Sequence, residues 1–202
     1  MKVITGKDVD MVTPFPISEV PRLVGWLHCY KTIIHSDDSP QTEEGLREFF
    51  KNWLQLPAVR SWGIIDKNQK LNIRHEAPLI GFGAFGYNTI RDGYFHCATT
   101  RKAWGTGMID EAARMAIEDL FTTDPKLLRV STIVINNNYP ARALAKRVGF
   151  IMEGKIEDMV LQKGIPRPVT HFGLTRRAWE AQQKEPEVTA EVEPAPSDIV
   201  TA

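Results

Sequence analysis

Hydrophobic residues recur at helical spacing in two segments near the start of the chain, Ile17–Leu27 and Thr42–Leu56. Positions three and four residues apart lie on one face of an α-helix, so this spacing predicts two amphipathic helices. The apolar positions are Val20, Leu23, Val24 and Leu27 in the first segment and Leu46, Phe49, Phe50 and Leu54 in the second.

Three short apolar runs follow the two helical segments. They cover Ser61–Asp66, Leu79–Tyr87 and Tyr94–Thr100, and the turn pair Asp92-Gly93 directly precedes the third run. Short runs of this kind, interrupted or preceded by turn residues, are typical of strands. The pattern therefore predicts three consecutive antiparallel strands.

The second half of the chain alternates between helical and extended patterns. A shorter helix is expected where Pro140 stands at the first helical position and Gly149 follows the last. The predicted elements are a helix that starts after Gly107 and stops at Thr122–Pro125, a strand at Leu127–Ile135, a helix at Pro140–Val148, and strands at about Phe150–Gln162 and Val169–Thr175. Together with the first half, this order predicts an α/β fold built on a mixed sheet.

The composition is that of an ordinary globular chain. Of the 202 residues, 43% are hydrophobic and 25% are charged, which excludes collagen-like, coiled-coil and wholly disordered classes. Basic and acidic residues number 25 each, so the long-range attraction that binders of nucleic acid or anionic membranes use is missing. We expect neither as a partner. Four tryptophans are expected in the core: Trp26, Trp53, Trp62 and Trp179.

The cysteines and histidines give no signal for a disulfide framework or a metal site. Cys29 and Cys97 lie far apart, and neither belongs to a C-x-x-C pair. The five histidines lack the spacing of metal ligands; they are His28, His35, His75, His96 and His171. The chain shows no signal peptide and no stretch approaching the roughly 20 apolar residues of a membrane span, so we expect a cytoplasmic protein without a metal.

The sequence divides at residue 183. Residues 1–183 are expected to form one domain and residues 184–202 a disordered acidic tail, since that tail holds five acidic residues, one basic residue and three prolines, without an aromatic residue. Outside the tail 24 basic and 20 acidic residues remain, a mild positive balance that is compatible with an anionic small molecule.

Two glycine clusters are candidates for a phosphate-binding loop. Gly81, Gly83 and Gly86 satisfy the pattern G-x-G-x-x-G, but the residues after them predict a strand end and a turn instead of the helix that a nucleotide site needs. The second cluster, Lys102–Gly107 (KAWGTG), stands between a strand and a helix that starts at Met108. Successive N–H groups at such a helix start attract a diphosphate, with an ordinary strand-to-helix turn as the alternative.

Several motifs in order resemble the GNAT superfamily of acyl-CoA-dependent N-acyltransferases. KAWGTG resembles the superfamily's Q/R-x-x-G-x-G/A loop, and AWGTGMIDEA is similar to the loop of the branch that acetylates the amino termini of ribosomal proteins. Asn138–Phe150 resembles the N-x-x-S-x-x-x-x-x-x-x-G-F helix, and Glu153-Gly154 follows it as in that branch. His171–Glu180 (HFGLTRRAWE) is similar to the branch's closing strand.

The resemblance covers roughly Ile4 to Trp179. It implies the GNAT fold, a mixed and mostly antiparallel splayed sheet of about six to seven strands flanked by about four helices. It also implies acetyl-CoA as co-substrate, held by free main-chain groups of the splayed strand, by amides of the glycine loop and by an asparagine. The matching residues are Cys97, Ala98, Thr99, Lys102, Ala103, Trp104, Gly105, Thr106, Gly107, Met108 and Asn138.

The chemistry that the resemblance implies is direct attack of a neutral amine on the thioester, with strand amides stabilising the oxyanion. Three positions that handle protons in the family differ here, because Ala141 replaces a common Ser, Ala145 a proton-donating Tyr and Tyr94 a common Glu. Tyr94 and His96 share one strand face and are the candidate catalytic residues, with a packing role as the alternative. Cys97 is a weak candidate for a covalent nucleophile, because the sequence shows no positive neighbour that would lower its pKa.

The cost of deprotonation favours one class of acceptor. At pH 7, freeing a lysine amine of its proton costs about 4.6 kcal/mol, against about 1.1 kcal/mol for an α-amine. A site without a strong base therefore favours a protein amino terminus or a small amine of depressed pKa. Four acidic residues could attract a cationic acceptor or form a solvated capping cluster; they are Asp37, Asp38, Glu43 and Glu44.

Three functions remain open at the level of sequence. The first is an acetyl-CoA-dependent N-acetyltransferase of this branch. The second is a GNAT-fold protein with weak or no catalysis that works as a structural or interaction component of a larger assembly. The third, acyl transfer to a modified nucleobase, is disfavoured by the neutral charge. A homodimer or an assembly partner is expected only by analogy with the family.

Overall fold

One mixed sheet carries helices on both of its faces. The computed structural model describes residues 1–34, 37–68 and 79–184 of the chain. The strands are β1 Lys2–Thr5, β2 Val9–Thr13, β3 Val59–Asp66, β4 Leu79–Tyr87, β5 Asp92–Thr99, β6 Arg129–Ile135, β7 Ile151–Gln162 and β8 Ile165–Thr175. The helices are α1 Val20–Ile34, α2 Glu43–Leu54, α3 Met108–Thr123, α4 Tyr139–Val148 and α5 Arg176–Gln182, with short 3₁₀ turns at Ile17–Glu19 and Arg101–Ala103.

The sheet is antiparallel except at its centre. Its strand order is β1-β2-β3-β4-β5-β6-β8-β7, and β5 runs parallel to β6. These two strands pair only from Asp92 to Tyr94 on β5, opposite Arg129 to Ser131 on β6. Beyond Tyr94 they diverge, so the sheet splays open as the resemblance implies.

Two hydrophobic cores lie on opposite faces of the sheet. On one face α3, α4 and α5 pack around fully buried Trp62, Phe121 and Phe172. On the other face α1 and α2 cover a smaller core that includes Phe50 and Phe82, whose ring centroids are 6.1 Å apart. Neighbouring side chains of a strand point to opposite faces, so alternate residues of β5 reach the two cores.

The G-x-G-x-x-G run lies inside a strand, as the sequence predicts. Gly81, Gly83 and Gly86 all belong to β4, which leads through a turn into β5. A Cβ on Gly81 would come within 2.9 Å of the side chains of Ile64 and Thr99. Close packing therefore explains this glycine without any bound nucleotide.

The α/β class and the splayed sheet are confirmed, whereas the predicted counts of strands and helices were too low. The described residues form eight strands and five α-helices. The sequence patterns missed β1, β2 and α5. The last of these replaces the end of the expected closing strand: Thr175 ends the extended run and its hydroxyl caps α5, accepting from the amide of Ala178 at 3.2 Å.

The remaining structural predictions concern the ends of the chain and the membrane. Except for Lys184, the predicted acidic tail lies outside the described residues. The strand that was expected at Val169 starts earlier, at Ile165, directly after a two-residue turn. No helix in the described ranges has the length and apolar character needed to cross a membrane.

Candidate active site

The divergence of β5 and β6 opens a cavity of about 520 Å³ that reaches both faces of the sheet. On the face of α1 and α2 its lining includes Asp38, Phe49 and Trp53. On the opposite face its lining includes Asn138 and Ala145 at α4. One continuous space therefore connects the start of α4 with the aromatic side chains of α2.

The main chain of β5 presents free polar groups to this space. The amide of Thr100 donates to the carbonyl of Ile80 at 2.8 Å, and the β4–β5 register continues without a shift. Because hydrogen-bonded pairs alternate along an antiparallel ladder, Ala98 belongs to the set that bonds β4. The N–H and C=O groups of Cys97 and Thr99 face the other way, where β6 has already moved off.

Glycines make the corner before α3 accessible to a ligand. Gly105 and Gly107 have positive φ values of 73° and 83°, and a Cβ built on either would meet nothing within 4 Å. Gly107 is the N-cap residue of α3 and provides no side-chain cap. In the described part of the chain, no hydrogen bond engages the amides of Gly105, Thr106 and Gly107. Three free donors at a helix start suit an anionic group.

The loop amides that the resemblance assigned to the diphosphate fall into two groups, those bonded within the loop and those left free. The amide of Ala103 donates to the Thr100 carbonyl and that of Trp104 to the Arg101 carbonyl, each at 3.1 Å. The Met108 amide donates to the Thr106 hydroxyl at 3.3 Å. These bonds shape the loop and leave the three central amides as its free donors.

Lys102 and Asn138, which the resemblance assigned to the cofactor, lie at different elements. Lys102 is exposed on the 3₁₀ turn just before the glycines. Asn138 caps α4 by accepting from the amide of Ala141 at 3.3 Å, and it also lines the cavity. Its side-chain amide therefore has a donor group left for a ligand.

Tyr94 and His96 lie in different surroundings although they share a face of β5. His96 lines the cavity, and its ring meets the Trp53 ring edge-on at 5.5 Å. Tyr94 is the last β5 residue paired with β6, and its ring lies 6.0 Å from that of His171, beside the cavity lining. The ring of His96 is accessible from the cavity, but the enclosing protein lowers its pKa by desolvation. At neutral pH it is an uncharged base.

Cys97 and the two alanines of α4 offer no acid or nucleophile. Burial raises the pKa of the Cys97 thiol to about 11, so the thiol stays protonated at neutral pH. Ala141 and Ala145 both line the cavity. The two positions at which the resemblance implies a Ser and a Tyr therefore face the cleft here without a hydroxyl group.

The four acidic residues do not form one cluster. Asp37 accepts hydrogen bonds from two main-chain amides of the β7–β8 turn, and Glu43 pairs with Arg47 on the same helix. Glu44 is exposed on the first turn of α2. Of the four, Asp38 alone lines the cavity. In the described residues no group of three His, Cys, Asp or Glu side chains is arranged to hold a metal ion.

The aromatic wall of the cavity was not predicted as part of the site. Trp62 is fully buried, as expected of a core residue, but Trp53 is half-buried at the cavity, and its ring stacks at 6.2 Å on the partly exposed Phe49. Phe50 completes the wall. The helical spacing of these residues is that of any core-facing stripe, so only the position of the splay gives them a second role.

A comparison with protein families decides the classification. The model described as "Acetyltransferase (GNAT) domain" matches residues 11–151, more than half of the chain. The chain belongs to the GNAT acetyltransferase family. The family and the enzyme class that the sequence predicted are thereby confirmed, and acetyl-CoA is the co-substrate of GNAT acetyltransferases.

Individual relatives of this GNAT protein fall into two groups. It is 32% identical over 79 residues to YdaF of Bacillus subtilis (strain 168), provisionally named a ribosomal N-acetyltransferase; the match covers 39% of this chain and 43% of YdaF. A structure named RimL, ribosomal L7/L12 α-N-protein acetyltransferase in complex with coenzyme A, superposes with a TM-score of 0.71 at 16% identity, covering 88% of this chain and 99% of RimL.

The second group acts on a small amine. Spermidine N-acetyltransferase from Vibrio cholerae, in complex with CoA and spermine, superposes with a TM-score of 0.68 at 15% identity, covering 84% of this chain and 98% of the other. At such identities the structural likeness shows the shared fold. The acceptor of this chain has to be argued from its own cavity.

The residues present fit acetyl-CoA. The three free amides at Gly105–Gly107 suit a diphosphate, and the free main-chain groups of Cys97 and Thr99 suit the amides of a pantetheine arm. The cavity between β5 and β6 extends from Asn138 at the start of α4 to His96. The fit depends on main-chain atoms. Residues that depart from the family pattern change only side chains, and they therefore do not disturb it.

Proposed function

We propose that this GNAT enzyme transfers the acetyl group of acetyl-CoA to a primary amine, either the α-amine of a protein or a small amine. The observation that carries the proposal is the cavity at the splay of the sheet, which extends from Asn138 and Ala145 at α4 on one face to an aromatic wall on the other. Relatives named for ribosomal-protein and spermidine acetylation support both acceptor classes. We further propose that it acts in the cytoplasm; a homodimer or larger assembly stays a prediction.

The glycine corner and β5 bind and orient the co-substrate. Gly105, Thr106 and Gly107 donate main-chain hydrogen bonds to the diphosphate, and the positive end of the α3 dipole strengthens them. The Cys97 amide points into the cavity, where it can stabilise negative charge on a carbonyl oxygen. Acetyl-CoA supplies the activated acetyl group.

His96 receives the proton of the acceptor amine. It is the basic side chain of the described cavity lining, and its lowered pKa keeps it neutral at pH 7. Ala141 and Ala145 cannot return a proton to the departing sulfur, so that proton comes from water in the cleft. A thiol has a pKa near 8.5, so its thiolate leaves without a strong acid.

The acceptor is an amine that is easily deprotonated. A histidine of lowered pKa is a weak base, and it cannot offset the cost of about 4.6 kcal/mol for an ordinary lysine at pH 7. An α-amine requires only about 1.1 kcal/mol. The geometry therefore favours a peptide amino terminus or a small amine of depressed pKa.

Acetylation of matched peptides tests this function. One peptide starts with a free Ala or Ser and lacks lysine, and its partner has a blocked amino terminus and one lysine; spermidine is the small-amine comparison. We expect kcat/KM to be at least about tenfold higher for the free amino terminus than for the lysine peptide, in line with the difference in amine pKa. Preference for the lysine peptide would contradict the proposal.

A further inference from the structure

Asp37 connects the segment after α1 to the tip of the β7–β8 hairpin. Its carboxylate accepts from the amide of Lys163 at 2.9 Å and from that of Gly164 at 2.7 Å. Its own amide donates to the carbonyl of Leu161 at 2.7 Å. Three hydrogen bonds thus join parts of the chain that lie more than 120 residues apart in sequence.

The hairpin turn is shaped to hold a carboxylate. Lys163 and Gly164 both have positive φ, 56° and 70°, which is the conformation of the two central residues of a tight type I′ hairpin turn. Both of their amides are directed at Asp37. The hydrogen bonds from the amides of Gly164 and Lys163 lower the pKa of the Asp37 carboxyl, and the bond from Gly164 has the larger effect. The carboxyl is therefore ionised at neutral pH.

The residues directly after Asp37 form part of the cavity wall. Asp38, Ser39 and Pro40 all line the cavity on the side of α1 and α2. The Gln41 side chain folds back on the same segment and donates to the Asp37 and Ser39 carbonyls at 3.2 and 2.6 Å. Hydrogen bonds therefore hold residues 37–41 both within the segment and against the β7–β8 hairpin.

We propose that Asp37 is a positioning residue for the acceptor amine, which fixes residues 38–40 as one wall of the acceptor half of the cavity. The proposal rests on the function proposed above. We expect Asp37 to affect binding of the acceptor and not of acetyl-CoA, because the glycine corner and the start of α4, which suit acetyl-CoA, belong to other elements. Neither element contributes a hydrogen bond to the Asp37 carboxylate within the described residues.

The test compares Asp37→Asn and Asp37→Ala with the wild type in steady-state kinetics on the full chain. Losing both carboxylate bonds should raise the acceptor KM of Asp37→Ala about tenfold, whereas kcat and the acetyl-CoA KM change by less than about twofold. Asp37→Asn keeps one acceptor oxygen and should give an intermediate KM. Amide hydrogen exchange at Lys163 and Gly164 should accelerate in the same order, because their amides lose their partner.

Glu44→Gln is the matched control. It removes the same charge from the nearby first turn of α2, where the Glu44 carboxylate has no hydrogen bond in the described structure. An equal rise of acceptor KM in this control would show that loss of a negative charge alone explains the effect of Asp37→Ala, and it would overturn the proposal. An unchanged acceptor KM in Asp37→Ala would also overturn it. If the wild type binds acetyl-CoA but acetylates no amine, the proposed function fails instead, and the two failures are distinct.

Discussion

At the scale of single residues, His96 is the group on which the proposed chemistry depends. Desolvation lowers its pKa, so protonation, and with it loss of the base, occurs only below the usual value near 6.5. The wild-type kcat should therefore fall as the pH decreases through this lowered pKa and should be level above it. His96→Gln should reduce kcat about 100-fold and flatten this acid limb.

Tyr94→Phe is the control variant for the kcat and pH measurements on His96→Gln. Tyr94 is on the same face of the strand but packs against His171 beside the cavity lining. Removing its hydroxyl should change kcat by less than about threefold and leave the acid limb in place. A larger loss in Tyr94→Phe than in His96→Gln would assign the proton transfer to the tyrosine.

Cys97 provides a second prediction at this scale. A thiol with a pKa of about 11 is almost entirely protonated at neutral pH and is a poor nucleophile. Cys97→Ala keeps the main-chain groups that face the cavity, so kcat should stay within about threefold of the wild type. Mass spectrometry of the quenched enzyme should show no acetylated Cys97; an acetyl-cysteine formed at a rate matching turnover would contradict direct transfer.

At the scale of elements, local signals in the sequence predicted the helices and strands that surround the site. The strand at Leu79–Tyr87 was predicted with its observed bounds, and α4 begins within one residue of the predicted Pro140 and ends before Gly149 as predicted. β1 gave no such signal because four residues, mostly exposed, show no apolar alternation. α5 has seven residues and none of them is buried. Both depend on partners that are distant in sequence.

The same distinction applies to the site itself. The glycine corner could be predicted because its chemistry belongs to the main chain and the glycines are contiguous. The wall of Phe49 and Trp53 could not, since their spacing on α2 is also that of an ordinary buried stripe. The bond between Asp37 and the β7–β8 turn joins residues about 126 positions apart, and no local pattern encodes it.

At the scale of the whole molecule, the proposed function assigns the two substrates to opposite faces of the sheet. The glycine corner and α4 lie on one face and the aromatic wall and the Asp37 segment on the other, and the cavity between β5 and β6 connects α4 with the aromatic wall. Each face also has its own hydrophobic core. Substitutions on one face should therefore change the KM of one substrate and leave that of the other nearly unchanged.

Calorimetric titration with acetyl-CoA tests whether the main-chain amides at the start of α3 bind its diphosphate. The wild type should bind saturably with micromolar affinity, and Gly105→Glu should abolish binding, because a carboxylate would occupy open space beside the free amides. Gly164→Glu is the control, since Gly164 shares a positive φ of 70° and open surroundings but lies at the β7–β8 turn. Binding that is absent in the wild type, or equally strong in Gly105→Glu, would contradict this role of the main-chain amides.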